Sequence, residues 1–474
     1  MAKPYECLIW DRGPKGRVGV LAIASPGEPV RVTVYETGPL LRSDHQEDVM
    51  DAVYQGIAGI DVHKKMLAVV IRQPAGDATT YIQRKFGTTK SEISHLAAWL
   101  QEQRVSEVVM ESTAQYWKPV WRVLERRWKP ACQQRDTPLR GALHLAQAKS
   151  NRAPGGRKHD FGDAERLVRR LVAQELVLSF VPDAEQRLWR TVTRRKQQLT
   201  RDRVRLQNQL EAFLEEAHIK LSSLVSDLLG VSGRRMLKAL AEGEKDPAAL
   251  AALADRRLRA TPAQLCDALG ACTELNVIYR RLLKMSLQEL QLIEGQMDQL
   301  DQEISGLLQQ HQDAVRRIAE VPGLGVESAH QIIAEIGPAV ATFPSAKQLA
   351  SWVGVCPGQE ESAGVSHSSR SPKGNQNMRR ILNQAAHAAI KVKGSIFEVV
   401  FQRLTRGLKY KEAIWAIAHR LCRLIWKLLH DRVDYVERGP SVHAKSKRTR
   451  AARMAKQLRA MGYRVVPPLG ILPA

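Results

Sequence analysis

Between Met50 and about Lys149, short apolar runs alternate with stretches of helical spacing, and this alternation constrains the fold more than any other feature of the chain. Gly56–Asp61 (GIAGID), Leu67–Ile71 (LAVVI) and Thr79–Phe86 read as neighbouring strands. Ser91–Glu102 has Ile93, Leu96 and Leu100 on one helical face, Glu107–Met110 (EVVM) reads as a further strand, and Tyr116–Trp128 as another helix. A helix that connects strands must bury its apolar stripe on the sheet, so the pattern predicts an α/β domain with a largely central sheet. The stretch Trp128–Leu139 fits neither pattern and reads as an insertion.

Two long helical regions follow. In Glu185–Ala217 the residues Val192, Leu199, Leu206 and Phe213 recur every seven positions. In Leu283–Leu307 the residues Leu283, Leu290, Met297 and Ile304 alternate with Ser286, Ile293, Leu300 and Leu307. That is a heptad pattern suited to a coiled coil, and an ordinary helical core seam has the same spacing. Leu221–Asp267 between them reads as a small helical insert. After Gln312 a compact, mainly α region begins, in which Val321-Pro-Gly-Leu-Gly325 separates two amphipathic helices in the manner of a helix-hairpin-helix element. There Gly323 and Gly325 would let backbone N–H groups approach a phosphate, although a plain helix–helix turn has the same composition.

Charge points to the partner. The 474 residues carry 72 Lys+Arg against 49 Asp+Glu, a formal net charge of +23. Such a surplus favours a polyanion, either nucleic acid or an acidic membrane surface. No apolar run reaches the roughly 18 residues that a spanning helix needs, and Met1–Gly13 is no signal peptide, which argues against a membrane. Six scattered cysteines without a C-x-x-C pair speak against a zinc site or disulfide framework and fit a reducing cytoplasm. Eight Lys/Arg lie between Arg187 and Arg205, Arg194, Arg195 and Lys196 among them, and Ser441–Ala460 has seven and no acid. Either run is a nucleic-acid contact or a solvated face. Residues 1–49, with six Lys/Arg and seven Asp/Glu, form loose strand and turn segments, read as a poorly ordered or spurious extension from an upstream start codon.

Four acids stand where metal-dependent phosphoryl transfer wants them. Asp61 ends the first strand, Glu111 ends the strand in Val-Val-Met-Glu-Ser-Thr, and Asp160 and Asp163 share one face at the start of an amphipathic helix. Four converging carboxylates repel one another unless cations neutralise them; two Mg²⁺ ions about 3.5–4 Å apart would do so and would activate a nucleophile. Taken singly, a strand-end Asp caps a turn and a first-turn acid complements the helix dipole. As a set, with this strand order, they match an RNase H-like fold. Arg157 and Lys158 beside the acidic pair are candidate phosphate contacts. In the turn-rich stretch Trp352–Gly364, Ser362 is a candidate nucleophile, followed by Lys373, Arg379 and Arg380 as cations for a scissile phosphate.

These motifs in series resemble the IS-one-ten family of insertion-sequence transposases. The matching pieces are GIDVHKK at 59–65, ESTAQYW at 111–117, GRKHDFGDAERL at 156–167, VPGLGVESAHQIIAEIG at 321–337, LASWVGVCPGQEESAG at 349–364 and KGNQNMRRIL at 373–382. The resemblance covers roughly residues 55–437. It implies a RuvC-like domain whose acids Asp61, Glu111, Asp160 and Asp163 hold Mg²⁺ (Mn²⁺ substituting), and a C-terminal transposase domain whose Ser362 becomes linked to DNA. A structured bridge RNA pairing with donor and target DNA, and assembly as a homodimer or homotetramer through the coiled coil, are implied as well. Two features depart from the family: His159 stands where many relatives have Thr, and residues 129–140 fit its fifth strand poorly.

The expected organisation is an N-terminal extension at 1–49, a RuvC-like domain at 50–180 and a helical coiled-coil region at 181–311. A C-terminal transposase domain at 312–437 and a basic tail at 438–474 follow. The expected activity is DNA transposition in a bacterial cytoplasm. Two other readings stay open: a RuvC-like nuclease or junction resolvase in which Ser362 is structural, and a non-catalytic nucleic-acid-binding coiled-coil protein.

Overall fold

The computed structural model describes residues 11–12, 18–23, 29–34, 56–75, 78–112, 114–130, 142–148, 159–358, 360–362, 365–368, 371–437 and 452. The chain divides into two compact units, Met1–Ala184 and Glu185–Ala474. The regions read separately as 181–311 and 312–437 thus fall almost entirely within one unit.

The first unit is built on an eight-stranded sheet of β1 (Asp11–Arg12), β2 (Val18–Ile23), β3 (Pro29–Val34), β4 (Ile57–Val62), β5 (Met66–Ala75), β6 (Ala78–Gly87), β7 (Glu107–Glu111) and β8 (Ala142–Ala146). Its order is β1-β2-β3-β6-β5-β4-β7-β8. Strands β4, β5 and β6 form an antiparallel meander, and β7 and β8 join β4 in parallel. The strands expected between Gly56 and Met110 are present. The fifth strand, which residues 129–140 fit poorly, lies just beyond them at Ala142–Ala146. The N-terminal strand segments differ from the loose extension expected: β3 pairs antiparallel with β6, so they lengthen the sheet.

All six residues of β4 are buried, as a central strand covered on both faces requires. Because successive side chains of a strand point to opposite faces, β4 sends two sets of residues two ways. Ala58, Ile60 and Val62 pack with α1 (Lys90–Glu102) and α2 (Trp117–Arg127) in one core, filled by Leu96, Leu100, Trp121, Leu124 and Trp128. Ile57 packs in a second core with Val109, Ala146 and Leu167, Val168 and Leu171 of α3 (Asp160–Val172). Gly59 lies on this second side. A Cβ there would stand 2.2 Å from the Ala164 carbonyl oxygen and 2.8 Å from Val168 Cγ2, so α3 rests directly on the β4 backbone.

Among its described residues the second unit is helical apart from one hairpin. Helices α4 (Ala184–Glu216) and α8 (Val277–Leu307) run antiparallel, as the pairs Lys196–Asp301, Arg203–Glu294 and Glu216–Tyr279 show. Between them lie α5 (Val231–Glu242), α6 (Pro247–Ala252) and α7 (Pro262–Leu269), the helical insert. Leu199, Leu206, Leu210, Leu283, Leu290 and Ile293 form one core with the insert. The heptad seam of Leu283–Leu307 is therefore occupied within the same chain. Next come α9 (Gln312–Ala319), α10 (Val326–Ile336), α11 (Ala346–Val353), the hairpin β9 (Glu360–Ser362) and β10 (Val365–Ser368), α12 (Gln376–Ala389), α13 (Ile396–Leu404) and α14 (Tyr410–His430).

The Gly59 contact gives a direct test. Gly59→Ala forces backbone against backbone and is expected to lower unfolding free energy by about 1–3 kcal/mol. Gly295→Ala, in a helix with nothing near the added methyl, is expected to be neutral or stabilising by up to about 1 kcal/mol. Urea unfolding of both variants checks the contrast.

Candidate active site

The alternation that points Ile57 and Gly59 toward α3 also places Asp61 on that side, at the end of β4. The parallel register Ile60↔Met110 leaves Glu111 at the adjoining end of β7, on the side of Val109. Helix α3 begins over the same end of the sheet, with Asp160 and Asp163 in its first turn, where acids complement the exposed N–H groups. Four carboxylates from three elements thus meet where two parallel strands end.

The electrostatics follow from the crowding. Asp61 is 8% exposed. Burial raises its carboxyl above the usual value of 3.8; the charge and hydrogen bond of His63 pull it down, and the negative charges of Asp163 and Glu111 push it further up. His63 Nε2 lies 3.0 Å from Asp61 Oδ2 and 3.5 Å from Asp160 Oδ1, bridging the two. One ligand atom from each of Asp61, His63 and Asp160 fits within 4.8 Å of the others, which is a cation-sized grouping. Asp163 accepts a 2.6 Å hydrogen bond from Arg166 Nη1, one turn along its own helix.

Two basic neighbours, His63 and Lys85, were not singled out from the sequence. His63 stands in the quoted GIDVHKK motif, two residues past Asp61. Lys85 Nζ lies 3.9 Å from Asp160 Oδ2, and the sheet register explains why: Asp61 pairs with Ala68, and Ala68 with Lys85. Only strand pairing, not spacing along the chain, reveals that row. The expected phosphate contacts Arg157 and Lys158 lie outside the described residues.

In the second unit, Ser362 ends β9 and pairs across the hairpin with Val365. The stretch read as a loop is thus a short hairpin. Its base is tied: Asn375 N donates to Trp352 O at 3.2 Å, and Arg379 Nη1 donates to the carbonyls of Gly354 and Pro372. The Arg379 guanidinium also stacks 4.4 Å from the Trp415 ring centroid. Arg379, expected to bind phosphate, lies at the hairpin's base. Arg380 donates to Gln331 and Gln384 and is held below its ordinary value by burial and the charge of Arg201. Lys373 is exposed.

The basic run of α4 is likewise divided. Arg194 makes a fork of two hydrogen bonds to Glu335, 2.8 Å and 2.9 Å, and Lys196 pairs with Asp301 and Glu327 at 2.6 Å and 2.9 Å. Arg194 and Arg195 are both exposed, and among the described residues Arg195 carries no such pair. Gly323, at φ +85°, packs closely against the backbone of α12, where a Cβ would meet Ala385 O at 2.3 Å. Gly325 is extended with open space around it, at the N-terminus of α10.

Glu335 was not anticipated. It is 1% exposed and also accepts from Asn375 and Asn377 at 2.9 Å and 3.1 Å, which ties α4, α10 and the start of α12 together. Burial alone would raise its carboxyl; the hydrogen bonds and charge of Arg194, the charge of Arg190 and the Asn375 bond outweigh it and hold it below 4.5.

Residues 58–219 match a family model described as a transposase, the IS110-type DEDD domain. Residues 315–401 match the model of the transposase IS116/IS110/IS902 family. The chain is 23% identical over 261 residues to the insertion element IS110 uncharacterized 43.6 kDa protein of Streptomyces coelicolor, covering 52% of this chain and 63% of that one. It is 26% identical over 287 residues to a probable family 20 transposase of Pseudomonas aeruginosa, covering 59% and 74%. A third relative, the insertion element IS900 uncharacterized 42 kDa protein of Mycobacterium paratuberculosis, is 25% identical over 149 residues, 31% of this chain and 37% of that one.

Two outcomes check these sites. Mn²⁺ at ten times its dissociation constant is expected to stabilise the protein by about 1.4 kcal/mol. Asp61→Asn, which removes the desolvated charge, is expected to melt higher than wild type without metal and to lose the Mn²⁺ response; thermal unfolding reads both. For Glu335 the lowered folded value means that its contribution is full above 4.5 and is lost as pH falls through the folded value. Glu335→Gln is expected to cost about 2 kcal/mol or more at neutral pH and to flatten that acid limb in a urea-unfolding series.

Proposed function

Because the chain belongs to the IS110 family of transposases, we propose that it cuts and rejoins DNA strands by metal-assisted phosphoryl transfer through a covalent serine–DNA intermediate. The observation that carries this reading is the meeting of Asp61, Glu111, Asp160 and Asp163 at one end of the sheet, with Asp61 desolvated and pushed up by its neighbours. Anionic oxygen donors in that density suit a hard divalent cation, Mg²⁺ or Mn²⁺, and the His63 nitrogen beside them suits Mn²⁺ somewhat better. When bound, such a cation withdraws charge from a phosphodiester and lowers the barrier to attack on phosphorus.

The chain's own groups supply the rest. The four acids would hold the cation at the ends of β4 and β7. Ser362 Oγ attacks phosphorus; a serine–phosphate bond forms as the bond from phosphorus to the 3′-oxygen breaks, and the proton lost by the hydroxyl is balanced by the one the 3′-oxygen gains. A 3′-hydroxyl of another strand then attacks the ester and releases the serine. One phosphoester is exchanged for another at each step, so strand exchange draws on no nucleoside triphosphate.

Within this reading the DNA-facing cations are Arg195, Lys373 and the exposed part of the α4 run, and a structured bridge RNA selects donor and target. Self-assembly into dimers and tetramers would use the outward side of α8, where Ile278, Met285 and Leu292 recur every seven residues at 62–63% exposure. Among the described residues no helix is long and apolar enough to cross a membrane.

Covalent trapping tests the proposal. Protein, Mg²⁺, candidate bridge RNA and labelled element-junction DNA are run on a denaturing gel beside Ser362→Ala and Asp61→Ala. A protein–DNA adduct that both variants lose is the expected result. Cleavage without an adduct, unchanged by Ser362→Ala, would replace serine transfer with a metal-dependent nuclease.

A further inference from the structure

An open cavity of about 700 Å³ lies beside the two ends of the segment that carries Ser362, and nothing in the strand-transfer scheme uses it. One wall is a single stripe of α14: Lys411, Trp415, His419 and Arg423 follow one another at four-residue intervals, which stacks them along one helix face. Arg420 borders the same space. Pro357 and Ser371, the near ends of the serine-bearing segment, line the same space, and Leu404 and Leu408 give it an apolar floor.

The chemistry of this lining is divided. Lys411, Arg420 and Arg423 are exposed, and among the described residues none of them has a carboxylate within ion-pair distance. Other cations of this unit are paired internally, Arg194 and Lys196 among them. The one carboxylate lining the cavity, Glu412, accepts from Lys409 N at 3.1 Å and serves as a helix cap. His419 is held below its ordinary value by burial, then by the charges of Arg423 and Arg420. Trp415, half-buried and steadied by Arg379 stacked on its ring, gives a rigid aromatic surface at the centre of the stripe.

We infer that this cavity holds one unpaired nucleotide of a nucleic-acid strand, its base against Trp415 and the Leu404–Leu408 floor and its flanking phosphates on Lys411, Arg420 and Arg423. The volume lies within the roughly 300–1,000 Å³ of small-ligand sites, which admits a nucleotide and excludes a duplex. An aromatic surface ringed by unpaired cations fits a base with its phosphates, since every base has a face to stack and every link carries a negative charge. A nucleotide drawn out here would fix the strand next to the base of the Ser362 hairpin, so the site positions substrate for the proposed serine attack. The inference rests on that reading for its purpose, but its test reads binding alone.

The full chain is titrated with a fluorescein-labelled short DNA duplex, fully paired or carrying a single unpaired thymidine, and with the RNA counterparts of both. The bulged form is expected to bind tighter by roughly tenfold, the factor that one stacked base supplies. Trp415→Leu, and separately the pair Arg420→Ser and Arg423→Ser, are expected to abolish that preference. Preference for bulged DNA assigns the nucleotide to the DNA strand, and preference for bulged RNA alone assigns it to RNA. To separate binding from any folding defect of the variants, 5-iodouracil in the bulge is also photocrosslinked to wild-type protein, with the adduct expected between Leu404 and Arg423. No preference for the bulge, or an adduct mapped to the basic run of α4, would overturn the inference. A missing serine adduct with the bulge preference intact would refute strand transfer and leave this site standing.

Discussion

Helix α3 lies against β4 with no side chain between them: the Ala164 carbonyl occupies the space that a Cβ at position 59 would need. The end of the first unit where the four acids meet depends on that approach. The first turn of α3 carries Asp160 and Asp163, and the residue two past Gly59 on the same side of the strand is Asp61. Any larger residue at 59 would lift the helix, and its acids, from the strand-end carboxylates. The contact also excludes water from Asp61, which turns an ordinary strand-end acid into one whose charge is costly without a cation beside it.

The second unit poses the opposite problem, too much positive charge for a chain that must also build a core. Part of the surplus is neutralised inside. Glu335 gathers Arg190, Arg194, Asn375 and Asn377, and Lys196 is held between Asp301 and Glu327. These pairs set α4 against α10 and fix the start of α12, and Arg379 then ties off the ends of the serine-bearing segment. Among the described residues, the exposed cations left without an acid include Arg195 on α4 and Lys411, Arg420 and Arg423 on α14. A basic run along a sequence therefore overstates the basic surface, because burial and pairing select which members face solvent.

The same selection applies to the heptads. Leu283, Leu290 and Ile293 have coiled-coil spacing, yet they are buried against α4 and the helical insert of their own chain. Spacing dictates that a helix has an apolar stripe; it does not say which surface covers it.

Alternation and turn residues by themselves determined the α/β character of Met50–Lys149, its strands from Gly56 to Met110, the long helices on either side of the insert and the identity of the four acids. These are local consequences of side-chain periodicity, legible without neighbours. Strand pairing and packing decided the rest. Lys85 joins the acids only through two steps of sheet register, and His63 only through the turn that follows β4. Glu335 lies more than a hundred residues from the arginines it neutralises. β1–β3 lengthen the sheet through a partner, β6, that follows them by dozens of residues. Each depends on contacts between residues distant in sequence, and a periodic pattern carries no record of which distant surface it will meet.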